Sequence, residues 1–188
     1  MKRIIFVILV LLSCVEARFF VGVDGGVSYS MLQKDSDFFG NAKVSDTQYL
    51  IGGYIGVNLG SEHYFARDSL LFRWFLSTGG DIGVGYGDLN LGIDFMGTLY
   101  KSENSAFGAF IGIEMSTVFM DWVSGFGGAF RVGISAMVEG KSRIELYWRK
   151  RLGEFSVDCS RYNVDHYEYI YEHYRQNDTV MLGYKKLF

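Results

Sequence analysis

The feature that most constrains this chain is a two-residue alternation, large apolar against small or polar, that returns along almost its whole length. Phe19, Val21, Val23, Val27, Tyr29 and Met31 share one parity; Phe20, Gly22, Asp24, Gly26, Ser28 and Ser30 share the other. Neighbouring side chains on an extended chain point to opposite faces, so each such segment reads as a strand with one apolar face and one small or polar face. A helix would gather its apolar residues every three to four positions, and no segment here keeps that spacing.

The pattern recurs seven more times. Tyr49, Ile51, Ile55, Val57 and Leu59 oppose Gly52, Tyr54, Gly56 and Asn58. Leu70, Phe72, Trp74, Leu76, Ile82, Val84 and Tyr86 oppose Arg73, Ser77, Asp81, Gly83 and Gly85, a segment long enough to hide a break at Gly79-Gly80. Further apolar sets are Leu89 to Leu99, Phe107 to Met115, Phe130 to Val138, Ile144 to Trp148 and Val180 to Phe188, with Asp94, Glu114, Arg131, Glu145, Arg149 and Lys185 on the opposite parities. Eight strands follow, longer than the ~5–6 residues usual in globular sheets. The predicted connections are long at 32–47 and 153–176, short at 101–105 and 140–142, with a long turn at 61–69.

Alternation alone does not say which face is inside. A lipocalin-like soluble barrel turns its apolar face inward, and a soluble sandwich buries it between sheets. Here the apolar face carries more bulk than the lumen of a closed eight-stranded sheet accommodates, whereas a face of Gly, Ser and scattered charges suits a narrow interior. The chain is 49% hydrophobic with 24 Gly and no Pro. The predicted fold class is therefore all-β, an eight-stranded antiparallel transmembrane β-barrel with its bulky face in lipid. No apolar run is long enough for a transmembrane helix.

Residues 1–17 read as a signal peptide and 18–188 as the barrel. Lys2 and Arg3 precede the apolar run Ile4 to Leu12, and Val15-Glu16-Ala17 supplies small residues for cleavage. Leu11-Leu12-Ser13-Cys14 offers a second processing route, with lipid attached at Cys14. Cleavage after Ala17 would leave Cys159 as the single cysteine, so no internal disulfide is expected. The net charge of -3 provides no field for nucleic acid.

No catalytic motif emerges. His63, His166 and His173 are each followed by Tyr rather than set in a His-x-Ser pair, and the Tyr-rich stretch around His166 and His173, with Glu168 and Glu172, reads as outer-loop surface. Gly79-Gly80-Asp81 lacks the following helix that would cradle a phosphate. No cofactor and no enzyme activity are expected. The inward charges carry more information. Asp24, Arg73, Asp94, Glu114, Arg131, Glu139, Glu145 and Arg149 fall on the polar parity of six segments, and unpaired charge in a lumen is costly, so they are expected to pair across the barrel.

The last segment has its own signature. Val180, Leu182, Tyr184 and the terminal Phe188 share one parity, interrupted by Lys186. With this ending the chain resembles the small outer-membrane barrels of Gram-negative bacteria, the OmpA transmembrane-domain and OmpX type. Its Gly-aromatic strands and Tyr-rich tail are similar to outer-membrane proteins of Helicobacter and Campylobacter relatives. The resemblance implies an outer-membrane location among lipid and lipopolysaccharide. It also implies that the barrel-assembly machinery reads the terminal strand, and that the lumen charges, which by themselves read as a structural plug, act as a gate for small ions. No peptidoglycan-binding domain of the full OmpA type is expected after Phe188.

Residues 32–47 and 153–176 would then lie on the outer side. There Lys34, Asp35, Asp37, Phe38 and Phe39, and Tyr162, Asp165, His166, Tyr167, Tyr169 and Tyr171, would contact a host surface, lipopolysaccharide or a neighbouring protein. Alternatively, the tyrosines extend the last two strands as a ribbon. The expected role is structural or surface-interacting, the alternatives being a lipid-modifying outer-membrane enzyme or a soluble ligand-binding barrel.

Overall fold

The computed structural model describes residues 16–38, 43–65, 69–83, 85–120, 123–152, 161–163 and 168–188. The strands are β1 (Glu16–Phe38), β2 (Lys43–Phe65), β3 (Leu70–Asp81), β4 (Tyr86–Lys101), β5 (Ser105–Met120), β6 (Val123–Val138), β7 (Ser142–Leu152), β8 (Arg161–Asn163) and β9 (Glu168–Leu187). Antiparallel pairing runs in chain order from β1 to β7, continues from β7 to β9, and returns from β9 to β1. Eight strands thus close a barrel, and the short β8 pairs only with β9. The all-β, eight-stranded antiparallel architecture read from the alternation is the one the chain adopts. The signal segment through Val15, Cys14 included, and Cys159 lie outside the described residues.

The two parities separate cleanly across the wall. Phe19 is 64% exposed and its neighbour Phe20 1%; Val57 is 52% exposed and Asn58 4%. Outward positions of β4 from Leu89 to Leu99 are all apolar, ~34 Å along the strand and ~25 Å across the wall at the ~40° tilt usual in barrels. That height matches the apolar belt of a membrane-spanning barrel. Among the described residues, outward charge on the wall lies at the belt's margins, with Lys150 and Asp178 on the ribbon side and Lys186 beside the end of β9.

β1, β3, β5 and β7 end at one rim, where β2, β4, β6 and β9 begin; β2, β4 and β6 end at the other, where β3, β5 and β7 begin, with Glu16 and Phe188. Several predicted boundaries move. The expected link 32–47 is mostly strand, since β1 runs to Phe38 and β2 restarts at Lys43. Gln33 to Asp37 and Ser45 to Gln48 are unbroken polar runs without alternation, so the strands do not show in the sequence. The expected long turn 61–69 is strand to Phe65, because Glu62 continues the inward parity of Tyr54 and Asn58 and pairs with Arg73 of β3.

The break in the third segment comes at 82–85, not Gly79-Gly80, where β3 still pairs with β2 and β4. Gly85, at φ +80°, closes that turn. Tyr86 accordingly starts a new strand facing the lumen, 7% exposed, rather than continuing the outward face. Glu139 is likewise corrected: it lies exposed in the 139–141 turn, not in the lumen, with φ 54° beside Gly140 at φ 62°.

The tail 153–176 also contains strand. β9 begins at Glu168, and its extension pairs with β1 and β8, whereas β7 ends at Leu152. The ribbon therefore belongs to β1, β2 and β9, not to the last two strands of the wall.

Candidate functional site

The polar parity of every wall strand reaches the lumen. Among the described residues, six buried cations (Arg73, Arg131, Arg143, Arg149, Arg151, Lys185) meet seven buried carboxylates (Asp24, Glu62, Asp81, Asp88, Asp94, Glu114, Glu145). Each charge has left water, so its retention depends on close, multiply hydrogen-bonded partners.

Nearest the Phe188 end, Arg143 on β7 lies 2.8 Å from Glu62 on β2. Tyr64 donates its hydroxyl hydrogen to Glu62 at 2.6 Å and accepts one from Arg143 at 3.1 Å. Higher up, Arg73 on β3 grips two carboxylates. Its Nε and Nη2 donate to Asp94 Oδ2 at 2.9 and 2.5 Å, and its Nη1 donates to Glu145 Oε1 at 2.5 Å. Lys185 on β9 donates to the other Glu145 oxygen at 2.5 Å. Glu145 thus ties β3, β7 and β9 together, while Asn58 donates to Asp24 between β2 and β1.

Arg131 is held differently. Its guanidinium lies 4.3 Å from the ring centres of both Phe75 and Tyr147, with Asp94 at 3.9 Å and Glu114 at 3.8 Å. Its Nε and Nη2 make no hydrogen bond among the described residues. Contact with two ring faces supplies the attraction that short ion pairs supply elsewhere.

Towards the ribbon, Arg149 donates to Glu114, to Asn90 at 2.9 Å and to Asp88 at 3.2 Å. Arg151 donates to Asp88 at 2.5 Å, and Tyr54 donates to the same carboxylate at 2.7 Å. At the top, Ser28 donates to Asp81, whose Oδ1 accepts the backbone N–H of Gly83 at 2.8 Å.

Strand register explains these encounters. Glu62, Arg73, Asp94, Gly112, Arg131 and Arg149 are successive Cα partners across β2 to β7. Opposite charges alternate along this row until Arg131 meets Arg149, where like charges are adjacent. Arg149 turns to Glu114 and Asp88 on other rows, while Arg131 lies between Asp94 of this row and Glu114. Gly112 interrupts the row because Asp94 occupies its side-chain space: a Cβ there would lie 1.9 Å from Asp94 Oδ1.

The six residues read from sequence as the lumen network, Arg73, Asp94, Glu114, Arg131, Glu145 and Arg149, are all buried in the lumen, as is Asp24. Glu62, Asp88, Arg143, Arg151 and Lys185 complete the network. Their signal was parity: each continues the polar alternation of its strand. Glu62 was concealed by the long turn expected at 61–69. Val180, Leu182, Tyr184 and Phe188 all face outward on or just beyond β9. His63 lies at the Phe188 end with its ring 6.1 Å from Phe72; His166 is outside the described residues. Among the described residues, no group of three or more His, Cys, Asp or Glu is disposed to hold a metal.

Fold and site together define a small closed antiparallel barrel, apolar outside and ionic within. No protein-family model and no curated protein matches the chain. Among solved structures it is similar to Neisserial surface protein A, at 11% identity over 90% of this chain and 97% of that one, TM-score 0.43. It is similar to the outer membrane protein OprG from Pseudomonas aeruginosa, at 10% identity, 89% and 95% coverage, TM-score 0.41. It is also similar to the outer membrane protease OmpT from Escherichia coli, at 10% identity, 90% and 97% coverage, TM-score 0.39.

Proposed function

We propose that this chain is an integral outer-membrane barrel, exported by its N-terminal signal and non-enzymatic, whose ionic lumen makes a rigid mount for a surface ribbon. The observation that carries the reading is unequal strand length. β1 and β2 stay paired out to Asp37 and Lys43, and β9 accompanies β1 to Phe38, but β3 leaves β2 at the Asp81–Tyr54 pair. Gly53 still accepts the Ile82 N–H at 2.8 Å, so residues 43–52 extend ~33 Å along the strand beyond the last backbone hydrogen bond on that side among the described residues. No strand pairs with that edge of β2 among the described residues. An unpaired edge is a template for another extended chain. The aromatic base of the ribbon, with Tyr29 and Tyr49 stacked at 5.6 Å, adds contact area at little entropic cost.

The partner is a surface molecule, whether host surface, lipopolysaccharide or neighbouring protein. Replacing 162–171 with a Gly/Ser linker is expected to leave the barrel folded and abolish binding to it. Unchanged binding to cells, lipopolysaccharide and membrane partners leaves only structural support. In assembly, the outward row Val180, Leu182, Tyr184 and Phe188 is the signal offered to the barrel-assembly machinery. Deleting Phe188 is expected to lower the amount of heat-modifiable barrel in the outer membrane.

A second reading, small-ion conductance, is favoured by Arg131, which is held by rings rather than short hydrogen bonds. Arg131→Leu is then expected to change single-channel conductance in planar bilayers. An unchanged or absent current in both proteins leaves the lumen a plug.

A further inference from the structure

The outer wall is interrupted beside Gly97. Gly97 on β4 and Ala109 on β5 are Cα partners with the outward parity, and a Cβ at Gly97 would meet nothing within 4 Å. Leu70 and Phe72 of β3, Phe95 of β4, Ile111 of β5 and Val132 of β6 stand around this gap and enclose a groove of about 720 Å³. The Phe72 and Phe95 rings, 5.3 Å apart and tilted by 58°, form one wall. Every residue lining the groove is apolar.

We propose that this groove retains one acyl chain of a phospholipid from the leaflet on the side of the chain termini. The proposal rests on the membrane-spanning reading above. Three observations select the occupant. The groove opens onto the apolar belt and is continuous with it, so at that depth hydrocarbon is the surrounding solvent. Leaving the groove unfilled forfeits dispersion contacts along its whole lining. Its volume falls in the ~300–1,000 Å³ range of small-ligand pockets, which suits a slender flexible chain better than a protein side chain.

Position selects the leaflet. Gly97 is ~13 Å along the strand from Lys101, where β4 ends. Leu70 is the first residue of β3 after the 66–69 turn. The groove therefore lies on the short-turn side, away from the ribbon, where an acyl chain in it would carry its headgroup to the level of Lys101 and Ser102. On the outer-membrane reading this is the phospholipid leaflet, not the lipopolysaccharide one.

The open space above Gly97 also supplies the test, because Gly97→Leu puts a side chain into the middle of the groove from a Cβ that meets no neighbour within 4 Å. Full-length barrel in dodecylmaltoside micelles is given palmitoyl-oleoyl phosphatidylethanolamine and examined by native mass spectrometry. Wild type is expected to keep one lipid under activation that strips the remainder, and Gly97→Leu to lower that retained fraction at least fivefold. Val57→Leu, outward on β2, is expected to match wild type. Heat-modifiability and flotation with phosphatidylcholine vesicles establish that all three are folded and inserted. Equal retention in Gly97→Leu and wild type overturns the proposal. So does a lipid-free wild-type dimer that Gly97→Leu dissociates, which would make the groove a contact between copies. Folded wild type that does not insert overturns the membrane reading itself, whereas insertion without a retained lipid overturns the groove alone.

Discussion

Gly92 and Gly97 sit five residues apart on one strand, on opposite sides of one wall, and are glycine for different reasons. A Cβ at Gly92 would lie 2.2 Å from the Phe75 ring, while one at Gly97 would meet nothing within 4 Å. Inside, the missing side chain is the space another residue occupies; outside, it is a gap in a surface. The lumen is a set of specific partnerships: Arg73 with Asp94 and Glu145, Phe75 over Gly92, Arg149 with Glu114. The outer face requires bulk and apolarity, but no particular neighbour, because lipid conforms to whatever it meets. One wall thus combines a face sensitive to single atoms with a face that accepts exchange among apolar residues.

The contrast orders four substitutions, each measured as unfolding of the barrel by urea in lipid vesicles. Arg73→Leu carries the largest effect, ~3–5 kcal/mol, because it leaves buried Asp94 without a short cationic partner and Glu145 with Lys185 alone. Gly92→Val follows at ~1–3 kcal/mol, since the fully buried Phe75 must leave its place. Arg131→Leu is expected to cost ~1–2 kcal/mol. Asp94 keeps Arg73 and Glu114 keeps Arg149, so neither carboxylate is abandoned.

Ile134→Leu, outward on β6, is expected to cost about 0.5 kcal/mol or less, one aliphatic side chain in lipid replacing another. Equal losses for Arg131→Leu and Ile134→Leu would break the distinction between the faces. A loss for Arg131→Leu as large as that for Arg73→Leu would show that ring contact holds a buried guanidinium as firmly as a paired carboxylate does. A Gly92→Val barrel as stable as wild type would mean that the lumen repacks as freely as lipid does.

Much of this was written locally. A strand's alternation reports which way each side chain points, and that needs only the pleat of an extended chain, so strand number, the two faces and the six inward charges were legible. Legibility failed where the local pattern stopped carrying information. Residues 32–38 and 43–48 are mostly polar and show no period, so they read as a loop. The turn at 82–85 reset the parity, which turned Tyr86 inward. Glu139 kept the lumen parity on paper but entered a left-handed turn.

Partnership was beyond the sequence for a physical reason. Parity states that Arg73, Asp94 and Glu145 face inward, but Glu145 lies 72 residues from Arg73. Which carboxylate an inward arginine reaches depends on closure, register and shear around the whole barrel. The same holds for the groove at Gly97, which exists because β3, β4, β5 and β6 bring Leu70, Phe95, Ile111 and Val132 around one missing side chain. Which way each side chain faces follows from the pleat of a single strand and is readable residue by residue. Who meets whom follows from closure, because a meeting needs strands the chain places far apart.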